Sequence, residues 1–101
     1  MYEETRKYLA DNEGKTIKII GKISNIMWQH IQMFIDTHPH DNYFDLEDGF
    51  QIIVYSKNPI SCTEKVEIQG QVVKVEGITE PDSKASGYSE YHMKVDKWKC
   101  I

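Results

Sequence analysis

The stretch Tyr43-Phe44-Asp45-Leu46-Glu47-Asp48-Gly49-Phe50-Gln51-Ile52-Ile53-Val54-Tyr55 carries the plainest structural signal in the chain. Phe44 and Leu46 alternate with Tyr43, Asp45 and Glu47, the two-residue period of a strand with one buried face. Asp48–Gly49 is a favoured pair for a two-residue hairpin turn, since glycine adopts positive φ without a steric penalty. Phe50 to Tyr55 supplies a β-branched and aromatic returning strand. The segment predicts an antiparallel hairpin.

Long strand patterns flank this hairpin on both sides. From Thr16, Ile17, Ile19 and Ile23 share one parity, while Lys18, Lys22 and Ser24 take the other. Gly21 interrupts that run, and Ile20 has the wrong parity for a two-faced strand, so a bend or bulge is expected there. Lys65 to Glu76 repeats the arrangement, with Val66, Ile68 and Val72 on one face and Gly70 placed for a second bend. Between them, Ser56 to Glu64 reads as a connector turned by Pro59. Thr79 to Gly87 is a polar loop. Tyr88 to Cys100 then closes the sheet, with Tyr91, Met93 and Val95 opposite His92, Lys94, Asp96 and Trp98.

The N-terminal end has a different period. Tyr2 to Asn12 predicts a short helix, with Tyr2, Thr5, Tyr8 and Leu9 at helical spacing and a stop at Asn12–Glu13–Gly14. Its few large apolar residues suit a cap on the domain. Trp28 to Asn42 allows two readings, a continued strand or one helical turn over Trp28–Met33. Thr37 to Asn42 reads as a turn around Pro39.

Composition bounds the class. At 101 residues, with 40% hydrophobic and 28% charged, the chain suits one domain, residues 1–13 forming the helix and 14–101 the barrel. No apolar run is long enough to cross a bilayer as a helix. The polar start MYEETRKYL argues against a signal peptide and for a cytoplasmic location. In a reducing compartment Cys62 and Cys100, which share no CxxC spacing, are expected as free thiols. The net charge of −4 is opposite in sign to the usual footprint of a phosphate-binding surface.

Together GKTIKIIGKISNI (14–26), YFDLEDGFQIIVYSK (43–57) and EKVEIQGQVVKVEG (64–77) resemble the OB-fold family, in particular its anticodon-binding and replication-protein-A-like domains. The resemblance runs from about Gly14 to Trp98 and implies an all-β, five-stranded Greek-key barrel preceded by a short α-helix. The chain departs from the family pattern in having almost no helix between its third and fourth strands. Members that bind single strands use the outer face of strands two and three. By that resemblance the face would carry Tyr43, Asp45, Glu47, Gln51, Ile53 and Tyr55. Tyr43 and Tyr55 would stack bases, and Trp28 and Phe34 would add an aromatic lip with His30 between them. Lys18, Lys22, Lys57, Lys74, Lys84 and Lys94 are the available phosphate partners, Lys84 being favoured by its loop position.

Other chemistries find less support in the residues. His38 and His40 flank Pro39 beside Asp36 and Asp41, yet no further His/Cys pair completes a metal-ligand set, so a solvated turn is expected. No phosphate loop, GxSxG or HExxH motif is present, and no catalytic residue, metal or cofactor is expected. The reading is a non-catalytic single-stranded nucleic-acid-binding domain, DNA or RNA. The alternative is a protein-interaction or assembly module using the same groove or a strand edge.

Overall fold

The computed structural model describes residues 3–26, 35–76 and 89–101. In chain order they form α1 (Glu3–Asp11), β1 (Thr16–Ile23), β2 (His40–Leu46), β3 (Gln51–Ser56), β4 (Val66–Glu76) and β5 (Ser89–Cys100). The strands close into a barrel in the order β1-β2-β3-β5-β4, the expected all-β architecture. All pairings are antiparallel except β3 with β5, a short parallel seam at Val54↔Met93 and Tyr55↔Lys94. Among the described residues each strand has a neighbouring strand on both sides, although β1 meets β2 over only three residue pairs and β3 meets β5 over only two.

The two interior glycines stand where the barrel curls. Gly21 pairs with Leu46 of β2 and with Val66 of β4, so β1 passes from one neighbour to the other at that residue. A Cβ there would lie 2.2 Å from the Asp45 carbonyl oxygen, and a Cβ at Gly70 would lie 2.2 Å from that of Lys94. Only a residue without a side chain permits such approach. The ladder of β4 with β5 also slips between Gln69 and Gly70: Gln69 opposes Lys97, whereas Gly70 opposes Val95. Asp96 is the extra residue of this bulge. Parity therefore reverses beyond it, and Trp98 packs against the core with Val95 instead of facing away from it. The sequence pattern, read without a bulge, put Trp98 on the wrong side.

The β2–β3 hairpin forms as expected, but its turn is longer than two residues. Leu46 N–H donates to the Phe50 carbonyl (2.8 Å) and Gly49 N–H to the Leu46 carbonyl (2.8 Å). Gly49 has φ 93°, and the Asp48 carboxylate accepts from Phe50 N–H at 2.9 Å. This is a three-residue loop with its glycine in the left-handed region. The expected turn over Thr37–Asn42 is shorter than predicted, because β2 already begins at His40.

Leu9 is the buried residue of α1, and it joins Ile17, Phe44, Val54, Ile68 and Met93 in the interior. The helix thus closes one barrel end. Asn12 Nδ2 donates to the Tyr8 carbonyl (2.7 Å), and Gly14, at φ 77°, donates its N–H to the Val72 carbonyl (2.7 Å). Among the described residues no helix is long and apolar enough to cross a membrane.

Cys62 and Cys100 are joined in a disulfide, correcting the expectation of two free thiols. The β4–β5 ladder sets Cys100 opposite Val66, while the connector into β4 brings Cys62 within 5.5 Å, Cα to Cα. Two residues remote in sequence are neighbours through topology, which spacing alone does not reveal. Such crosslinks persist in oxidising surroundings. A loop of 38 residues closed in the unfolded chain corresponds to about 4 kcal/mol of stabilisation. Dithiothreitol is accordingly expected to lower the thermal midpoint by well over 5 °C in a circular-dichroism melt. An unchanged midpoint in fully reduced protein would contradict this role.

Candidate functional site

The outer face of β2 and β3 is built by their register. Asp41 pairs with Tyr55, Tyr43 with Ile53, and Asp45 with Gln51. The intervening Phe44, Ile52 and Val54 point into the core, so these six side chains share the opposite face. The structure thus gathers five of the residues expected there, while Glu47 falls in the turn. Exposure divides them. Tyr43 and Asp45 are half-buried, and Asp41 is exposed.

The β3 half of the face is closed to solvent. Ile53 is 0% exposed and Tyr55 1%, although neither belongs to the interior cluster, and Gln51 is buried as well. An open stacking platform on Tyr55 is therefore corrected: its ring has no free face in this conformation. Gln51 Nε2 lies within donating distance of the Ile26 carbonyl (2.7 Å), Asp45 Oδ1 (3.0 Å) and Ser24 Oγ (3.1 Å). It ties the segment leaving β1 to the hairpin. Trp28, Phe34 and Lys84 lie outside the described residues, as do His30 and the polar loop Thr79–Gly87.

Tyr55 instead enters a polar chain that the sequence did not disclose. Its hydroxyl is 2.8 Å from His92 Nδ1, and His92 Nε2 is 3.1 Å from Glu90 Oε1. The neutral tautomer with hydrogen on Nε2 satisfies both contacts: Tyr55 donates to Nδ1, and Nε2–H donates to the carboxylate. The two rings lie 5.7 Å apart, and the His92 side chain is fully buried. This chain crosses the short parallel seam between β3 and β5, where the ladder itself is brief. Its sequence trace is faint, since Glu90 and His92 share a strand face but Tyr55 is 37 residues from His92.

A second buried histidine stands two residues before β2. His38 is 4% exposed, not the solvated turn residue expected, and no histidine here joins a metal-ligand cluster among the described residues. Thr37 Oγ1 is 2.7 Å from Nδ1, while Nε2 has no hydrogen-bond partner among the described residues. Burial pushes His38 below the ordinary imidazole value, and Lys94 and Lys57 push the same way, against Asp96 and the Val95 backbone. Lys57 and Lys94 are thus within electrostatic reach of His38, and Lys94 pairs with Tyr55, whereas Lys74 is turned to Glu76 at 3.6 Å.

These contacts have measurable consequences. Tyr55→Phe removes the donor to His92 Nδ1 at constant ring volume, and should cost about 1–3 kcal/mol in urea unfolding. For His38 the folded pKa lies below the unfolded 6.5, so below that pH the unfolded chain binds more protons. Stability should be complete above pH 6.5 and fall as the pH drops from there towards the folded pKa. His38→Gln should flatten that part of the pH–stability curve; an identical slope would exclude His38 as its source.

No protein-family model and no curated protein matches the chain. Among solved structures it is similar to U. maydis Replication protein A bound to ssDNA, with TM-score 0.54 and 15% identity. The likeness covers 95% of this chain and 68% of that one. At that identity the match speaks for the fold. Taken with the closed five-stranded barrel, it identifies the chain as an OB-fold domain.

Proposed function

We propose that this OB-fold domain is a non-catalytic module that binds single-stranded nucleic acid on the outer face of β2 and β3. The observation that carries the reading is the barrel's likeness, over 95% of the chain, to a replication protein A structure bound to ssDNA. The local chemistry supports a contact centred on β2. Tyr43 is the half-exposed aromatic of that face, placed for a base to stack on its ring. Lys94, which pairs with Tyr55, and Lys57, which follows β3, are the cations at the end of β3 that would meet phosphate. Gln51, Ile53 and Tyr55 form the floor beneath it and contribute through packing. Trp28, Phe34 and Lys84 belong to the proposal as loop contacts.

Charge limits the affinity. Asp41 and Asp45 share the face with Tyr43, and the whole chain carries −4. Binding should therefore lean on stacking more than on counterion release. With about two or three phosphates neutralised, log affinity should fall against log salt with a slope of about −2.

Fluorescence anisotropy with mixed-sequence single-stranded DNA and RNA tests this. Tyr43→Ala should weaken binding by about 1–3 kcal/mol, roughly five- to 150-fold, with folding of the variant checked by its circular-dichroism melt. Absence of binding by micromolar protein at low salt would end the proposal.

A further inference from the structure

Away from the β2–β3 face, α1 and the barrel enclose an open groove of about 360 Å³. Tyr8 and Leu9 of α1 line one side, and Ile19, Ile20 and Leu46 the other. Glu4, Thr5, Glu47 and Asp48 form the rest of its wall, and among the described residues no lysine or arginine lines it. Two oddities of the chain meet here. Ile20, out of step with the alternation of β1, lies in this wall, and Tyr8 leaves 47% of its surface exposed.

From this groove we infer a docking site for a basic peptide segment of another protein, one that inserts an apolar side chain between lysines or arginines. The apolar floor favours the inserted side chain, and the carboxylates favour cations on either side of it. Part of that acidity is already engaged: Asp48 accepts from the Thr5 hydroxyl, and Lys65 lies 3.3 Å from Glu47. The Lys65 pair is solvent-exposed and hence weak, so an incoming cation displaces it readily. The same carboxylates repel phosphate, which keeps this site separate from the surface proposed for nucleic acid. The two surfaces can be tested apart.

The probe is a short synthetic peptide with leucine and phenylalanine set among lysines and arginines, with a counterpart bearing glutamate at each basic position. NMR amide shifts of the intact protein should move at Thr5, Tyr8, Ile20 and Leu46 with the basic peptide and not with the acidic one. Combining Glu4→Lys with Glu47→Lys, both at exposed positions, should weaken that binding about tenfold. Tyr8→Ser, at another exposed position, should weaken it independently of charge, and retained amide dispersion in each variant confirms folding. The inference is overturned if both peptides bind alike, if the shifts fall on the β2–β3 face, or if no shifts appear. It is equally overturned if the groove amides respond to single-stranded DNA or to protein concentration alone, the latter meaning that a second copy occupies it.

Discussion

Everything in this barrel depends on how closely its backbones approach at two points. A small five-stranded barrel closes only if its long strands coil sharply, and β1 and β4 do so at Gly21 and Gly70. There the neighbouring carbonyls of Asp45 and Lys94 occupy the space a side chain would need. The consequences spread outward. The bulge beside Gly70 turns Trp98 into the core, and the transfer of β1 at Gly21 lets it pair with both β2 and β4.

Closure creates a weak place as well. β3 and β5 meet in parallel over a short register, and the molecule reinforces that seam with side chains. The Tyr55–His92–Glu90 chain crosses it, and His38 is buried beside the Val95 backbone of β5. The Cys62–Cys100 bond secures the far end of β5 to the connector before β4. A surface that in the sequence looks like an open binding strip is therefore partly committed to holding the barrel shut. Tyr55 illustrates the trade: its ring belongs to the ligand face by parity and to the seam by contact.

Local pattern made much of the fold legible. Alternation found the strands, Asp48–Gly49 found the hairpin, and the interior glycines marked the bends. What escaped is what topology alone creates. Spacing gives no hint that Cys62 meets Cys100, or that Tyr55 meets His92 across 37 residues. The bulge at Asp96 escaped because it adds one residue without a glycine or proline on its own strand to announce it. For the site, parity placed Tyr43, Gln51, Ile53 and Tyr55 on one face correctly, but parity carries no information about what lies over that face. Ile20 was legible as an anomaly, and its meaning emerged only with α1 lying beside it.

The account divides the surface by charge and burial. Tyr43 is the part of the β2–β3 face suited to a single strand, with Lys94 beside Tyr55 at its far end, while the acidic groove under α1 is suited to a basic peptide. The most direct measurement is an NMR map of amide shifts during titration with a single-stranded oligonucleotide at low salt. The account predicts shifts concentrated at Asp41 to Asp45 and at Lys57, with the amides of α1 unmoved. Shifts centred on α1 and Ile20, or none at saturating oligonucleotide, would contradict it.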